Sequence, residues 1–465
     1  MPQKIGQIVS LLELGGEVSP FAPLGEAAPH VPAREAFRWI TDELGAPIET
    51  IFRTLDERGA AASLGQVHRG VLADGREVAV KVQFPDVRSA LDADLAALGW
   101  LAAPLSANRS GFDLREYQRE LRASLLRELD YELEVQALRS AAARRREIPG
   151  LLTPDPVEAW CTSRVLTMTW IAGERVEAVA DWPEPDRQAA ATTLLRFFLR
   201  GCFTWGSLHA DPHPGNVRFV RSGADVQVGI LDFGCTRELG ARERQALYQL
   251  CANGTALGEA ELLEAYLILG FNPDLLAPIA GRLREVTRIL CEPFHTDGPF
   301  DVRSWSISAR LADTLGDDRW NFRFAGPAAL IFFIRAVQGL ITYLTILGTR
   351  LDWRRELLNL PVSARPSASA QPDAPVPSPG VHMPDTALRL RIRVVRGGTP
   401  VAQLAFGTGA VGHLADLVPE DMLDRIRVRG LSLDAIAAET VARGCPPGEL
   451  FNLAEDDLTV RVWIE

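Results

Sequence analysis

The chain has 465 residues, 47% of them hydrophobic and 23% charged, with a formal net charge of −11, a composition ordinary for a globular protein of two or three domains. The acidic balance disfavours a nucleic-acid partner, because binding phosphates needs clustered Lys and Arg. Six cysteines (161, 202, 235, 251, 291 and 445) form no CxxC pair and read as reduced thiols of a cytosolic protein, while the opening "MPQKIGQIVS" lacks the apolar region and cleavage site of a signal peptide.

Taken in chain order, the first clear strands fall near 66–83. There "GQVHRGVL" and "REVAVKVQ" alternate apolar and polar residues around the turn signal "ADG". Two long helical patterns follow, about 86–107 and 113–146. The second carries Leu114, Leu121, Leu125, Leu129 and Leu133, expected as one buried stripe. A strand over 164–171 precedes a helix over 186–205, which runs into "HADPHPGN". The strands "NVRFV" and "VQVGIL" come next, and the chain to about 360 reads as helices. Among these, "ALIFFIRAVQGLITYLTILG" (329–348) is long enough to cross a bilayer. A charge at the middle of such a span, where Arg335 sits, costs roughly 2.5–3.5 kcal/mol, so a buried core helix is the expectation. A Pro-, Ala- and Ser-rich linker over 361–385 then separates a small unit, 386–465. That unit opens on a hairpin around "GG", continues through helices near 411–426 and 432–442, and closes on a second hairpin. It carries no catalytic constellation and is expected to bind a protein partner or to serve structure.

"HADPHPGN" (209–216) crowds two histidines, an aspartate and an asparagine into a segment whose prolines oppose both helix and strand. Asp211 and Asn216 form D-x-x-x-x-N, and "LDFG" (231–234) begins fifteen residues after Asn216. An aspartate that orients a nucleophile, with an amide oxygen and a second carboxylate for Mg²⁺, is what phosphoryl transfer needs. The bland alternatives are a turn aspartate at Asp211 and a zinc pair at His209 and His213. The prolines oppose the zinc pair by breaking the helix it would need. Lys81 lies among valines in "VAVKVQ" and needs a partner or a phosphate if it points inward, but neither on an edge strand facing water. Its candidate partners are Glu128, Asp130, Glu132 and Glu134 of "RELDYELE", a run that is otherwise a solvated acidic face. "GAAASLGQVHRG" (59–70) enters the first hairpin where a phosphate-covering loop belongs, with alanines in place of glycines.

These motifs, in this order, resemble the UbiB/AarF family of atypical protein-kinase-like ATPases. The features are "KIGQ" (Lys4 to Gln7), "AAASLGQVHRG", "VAVKVQ", "ELDYELE", "LTMTWIAGE", "HADPHPGN" and "LDFG", over about residues 1–355. The resemblance implies an α+β, bilobal protein-kinase-like fold: an N-terminal helical extension (1–50), an N-lobe with inserted helices (51–175) and a C-lobe (176–360), with the linker and a small α/β module beyond it. It implies ATP or ADP and Mg²⁺ as cofactors. Lys81 resembles the lysine on the α- and β-phosphates, paired with Glu134, and Asp211 the catalytic aspartate. Asn216 and Asp232 resemble the metal ligands. Ala60, Ala61, Ala62 and Ser63 resemble the alanine-rich nucleotide loop, Val67 and Ala79 the strands over the nucleotide, and Met168, Trp170 and Ala172 the hinge that meets adenine. Lys4 and Gln7 resemble the family's regulatory lid, met by Glu128 and Asp130.

Ala210 stands where regulated protein kinases carry arginine, and no A-P-E follows "DFG". Both favour ATP hydrolysis, or a small or lipid-like acceptor, over a protein substrate. Family members acting on quinone lipids often end in transmembrane helices. The small module stands in that place here, and a peripheral membrane contact without a transmembrane helix is the expectation. The competing readings are a nucleotide-sensing scaffold acting through the C-terminal module and a small-molecule phosphotransferase related to aminoglycoside kinases. The second leaves "KIGQ" unexplained.

Overall fold

The computed structural model describes residues 31–62, 64–85, 87, 114–223, 225–361, 389–396, 399–407, 432–443, 446–455 and 458–464. Lys4, Gln7, Ser63, most of the linker and the helices expected near 86–107 and 411–426 lie outside them. The chain divides into two compact units, residues 1–371 and 372–465.

The first unit begins its described part with helix α1 (Ala33–Leu44), closed by Gly45 in the left-handed conformation (φ 64°). An antiparallel sheet follows: β1 (Phe52–Leu55), β2 (Ala60–Ala62), β3 (Gly65–Leu72) and β4 (Glu77–Gln83), joined later by β6 (Val165–Thr169). Its order is β1-β3-β4-β6, with β2 also on β3. Strand alternation sorts β4 between two environments. Val78, Val80 and Val82 cluster with Ala36 and Ile40 of α1, burial worth roughly 1.5–3 kcal/mol for each side chain. Ala79, Lys81 and Gln83 point to the other side. Lys81 is therefore on a central, doubly covered strand rather than an edge.

The long helix expected over 113–146 is two helices, α2 (Leu114–Glu128) and α3 (Tyr131–Arg144). Asp130 is extended between them, and its carboxylate accepts from the Glu132 and Leu133 amides as an N-cap. The break resets the helical phase. Leu121, Leu125 and Leu129 are buried, but Leu133 is 42% exposed and the stripe does not continue. Beyond α3 come β5 (Leu151–Leu152) and β6 (Val165–Thr169).

The lower lobe is built on α4 (Glu184–Leu199), which continues through a wide turn of π-helix (Arg200–Trp205) to Gly206 at φ 67°. Strand β7 (Ser207–His209) follows, then the hairpin β8 (Val217–Ser222) and β9 (Asp225–Ile230), then β10 (Thr236–Glu238). β5 joins β9 in parallel, and β10 pairs with β7. The octapeptide is thus less irregular than its prolines suggested: His209 ends a strand, and Pro214–Asn216 form one 3₁₀ turn. Helices complete the lobe, the longest being α5 (Leu330–Leu347). It is apolar and long enough to cross a membrane, with 44% of it buried. Ala336, Leu340 and Tyr343 join the main core cluster that also contains Leu194 and Leu195 of α4.

The second unit is an antiparallel sheet ordered β12-β11-β14-β13, from β11 (Arg389–Arg396), β12 (Thr399–Gly407), β13 (Gly448–Glu455) and β14 (Leu458–Ile464), with helix α6 (Leu433–Ala442) between the hairpins.

Candidate active site

Lys81 is where the two lobes meet electrostatically. Its Nζ donates to both Glu134 oxygens, at 3.1 and 2.9 Å, and to Asp232 Oδ2 at 3.0 Å. The Tyr131 ring lies 4.9 Å from the ammonium, a cation–π contact. Burial works against the lysine's charge, but Asp232 and Glu134 outweigh it and hold its pKa well above the ordinary value. One ammonium thus serves two carboxylates. Glu134, the deeper, gives way: burial, then the facing Asp232 charge, push it up to about 7.

Asp232 and Asp211 are brought together by backbone pairing. The β7–β10 ladder sets His209 opposite Thr236. The Ala210 amide donates to the Cys235 carbonyl at 2.9 Å, and Leu231 to that of Asn216 at 2.8 Å. His209 Nε2–H donates to the Asp232 carbonyl at 2.6 Å, and its ring meets Phe233 edge-on at 5.5 Å. Asp232 Oδ1 accepts from the Gly234 amide at 2.9 Å, fixing the turn. His213 Nδ1 accepts from the Gly215 amide at 3.0 Å. Each histidine thus has a task in the backbone of the loop rather than a shared metal.

Asp211 and Asn216 are on the neighbouring loop, which the Leu231 amide ties to the Asp232 segment through the Asn216 carbonyl. The Asn216 amide nitrogen donates to the Asp211 carbonyl at 3.3 Å, which leaves its side-chain oxygen as an acceptor. That oxygen and the Asp232 carboxylate are hard donors of the kind Mg²⁺ takes together with phosphate and water. Two carboxylates share the one ammonium, so the site accommodates a further cation once Glu134 is ionised. The residues present therefore fit magnesium.

Arg335 of α5 is the residue that sequence reasoning missed. Its guanidinium donates to Asp211 Oδ1 at 2.6 Å, with both side chains 9% exposed. Burial opposes the arginine's charge, and Asp211, with Cys235, Glu128 and Asp232, together outweigh it, holding its pKa above the usual value. One turn on, Gly339 touches the loop: a Cβ there would lie 2.0 Å from Pro212 Cγ. Helix α5 thus seats Asp211 and Pro212 from behind. The signal was present in the sequence, since a charge in the middle of an apolar helix needs a partner, but spacing could not say which.

The remaining expected residues divide. Ala79 and Met168 are in register across β4 and β6, and Val67 packs against the same cluster. Ala60 to Ala62 form a strand, paired residue for residue with Val67 to Gly65, rather than an open loop. Gly65 is needed there, because a Cβ would sit 2.0 Å from the Val82 carbonyl oxygen. In the hinge, Thr169 and Trp170 donate their amides to Asp155 and Glu77. Among the described residues, the Ile171 and Ala172 amides have no backbone acceptor. Glu128 is buried beside the α2–α3 break, while Asp130 is engaged as the cap.

Comparison with known proteins shows the family. A family model, the ABC1 atypical kinase-like domain, matches residues 23–265, more than half of the chain. The chain belongs to that family. An uncharacterised aarF domain-containing protein kinase of Arabidopsis thaliana, named as chloroplastic, is 32% identical over 330 residues, covering 68% of this chain and 45% of the relative. The atypical kinase COQ8, mitochondrial, of Saccharomyces cerevisiae is 27% identical over 324 residues, covering 67% and 64%. The chain thus spans only part of the length of these relatives. Among solved structures, a Mycobacterium tuberculosis protein in complex with erythromycin superposes with a TM-score of 0.53 at 23% identity, over 77% of this chain and 90% of that one. This likeness concerns the fold, which is α+β, bilobal and protein-kinase-like.

Proposed function

We propose that this chain binds Mg-ATP between its lobes and either hydrolyses it or transfers its terminal phosphoryl group to a small or lipid-like acceptor. The observation that carries the reading is the bridge of Lys81 to both Glu134 and Asp232, with Asp211 and Asn216 beside it on one loop. In this reading Lys81, held by Glu134 and the Tyr131 ring, reaches the α- and β-phosphates. The alanine hairpin covers the phosphates, and adenine sits against Val67, Ala79 and Met168, meeting the main chain at Ile171 and Ala172. Asn216 and Asp232 would hold Mg²⁺, which supplies charge neutralisation on the phosphates. Asp211, fixed by Arg335, orients the attacking water or hydroxyl. Lys4 and Gln7 as a lid, a link to isoprenoid-quinone or lipid metabolism, peripheral membrane contact, a cytoplasmic location and a partner for the second unit belong to the same proposal and rest on family likeness.

The test is phosphate release from Mg-ATP by the purified chain, with and without lipid vesicles, beside Asp232→Asn. The substitution keeps the shape and removes the charge. It should abolish Mg-dependent nucleotide binding, read by calorimetry, and with it phosphate release. Unchanged binding sinks the metal assignment. Bound nucleotide without release in the wild type turns the reading into a nucleotide-sensing scaffold.

A further inference from the structure

A cavity of about 360 Å³ lies along the face of α3 that adjoins Glu134. Leu133, Ala137, Ala141 and Arg144 line it from the helix, and Trp205, His209 and Phe233 from the lower lobe. Helix α3 packs against α2 and β6, but toward Trp205 and Phe233 this space stands where side-chain packing would otherwise be. The lower residues are those that hold Asp232 in place: His209 binds its carbonyl, and Phe233 follows it in the turn. An occupant would therefore touch both carriers of the Lys81 bridge at once, the helix bearing Glu134 and the turn bearing Asp232.

The lining states what chemistry fits. Leu133, Phe197, Trp205 and Phe233 give apolar and aromatic walls, and Leu133 is 42% exposed. Arg127 and Arg144 add two guanidinium groups against one carboxylate, Glu238. Among the described residues neither Arg127 nor Arg144 makes an ion pair, and Arg144 lies over the Trp205 ring at 5.8 Å. The local excess is one positive charge, and arginine forks take carboxylates through paired hydrogen bonds. The volume is at the small end of sites for small molecules.

We propose that this cavity binds a small aromatic carboxylate, which braces α3 and the Asp232 turn against each other and so holds the Lys81–Glu134 pair in place. Any effect on turnover rests on the activity proposed above; binding does not.

The experiment titrates naphthoate into the full chain by calorimetry without nucleotide, with hydrogen exchange followed over residues 131–144. Binding is expected, with slower exchange in α3. Ala137→Phe, which fills the space, should abolish it. Arg144→Gln should weaken naphthoate about tenfold while leaving neutral naphthamide unchanged. Should Ala137→Phe fail to fold, Arg144→Gln at its half-exposed position carries the comparison. No binding up to millimolar naphthoate, or binding indifferent to these variants, overturns the site. A chain that binds naphthoate here but releases no phosphate keeps this site and refutes the activity.

Discussion

The ion pair of Asp211 with Arg335 shows what a single residue contributes at this site. Taking both charges out of water costs several kcal/mol each, and the pair gives much of that back only when intact. Its value is in position more than in stability: it fixes the carboxylate of the loop from a helix 124 residues further along the chain. Arg335→Gln leaves the Asp211 charge without its guanidinium and should destabilise the first unit by about 3–5 kcal/mol, measured by urea unfolding. The double variant Asp211→Asn/Arg335→Gln should recover part of that loss. Strict additivity would show that the two side chains are not coupled. Lys81 makes a related point. Its sequence context left an inward and an outward reading open, and the neighbours of β4 in the sheet decided between them.

At the level of elements, the break between α2 and α3 matters most. Apolar periodicity ran through it because leucines recur on both sides, and the Asp130 cap was legible only as one acid among several. The cap restarts the helix at Tyr131, which puts Glu134 inward and Leu133 outward. Leu129→Ala, in the buried part, should therefore cost about 2–5 kcal/mol. Leu133→Ala should stay within roughly 1 kcal/mol, and equal losses in thermal unfolding would restore the single stripe. Helix α5 illustrates a second lesson. Its length and apolar run suited a membrane, and Arg335 in the middle made a core helix the expectation. The contact of Gly339 with Pro212 gives it a part in positioning the loop. Gly339→Ala puts a methyl 2.0 Å from the Pro212 ring, so the loop must shift. Phosphate release should fall by tenfold or more while nucleotide affinity changes little, because Lys81 and the hinge are untouched. A variant with wild-type turnover would mean that the loop tolerates the displacement.

For the whole molecule, the two units each have their own sheet, and the division at 371/372 falls in the Pro-, Ala- and Ser-rich stretch. A chain ending at residue 371 should fold alone and keep its nucleotide binding, since every residue of the proposed site precedes that point. Calorimetry of the full chain should then show the transition of the isolated first unit unchanged. A truncated chain that melts much earlier would show that the second unit stabilises the first.

The sequence by itself determined the family. D-x-x-x-x-N, "LDFG" and the lysine among valines are local motifs, readable without the fold, and they mark the kinase-like family to which the chain belongs. It determined the longer strands too, since a two-residue period is local, but not the short ones at Phe52–Leu55, Ala60–Ala62, Leu151–Leu152, Ser207–His209 and Thr236–Glu238, which are too short to show a period. The tertiary structure decided which acid pairs with Lys81, that Asp130 caps a helix, and that Arg335 reaches Asp211. The two ion pairs join residues 53 and 124 positions apart, and no local pattern encodes them; they follow from which faces the folded chain must bury.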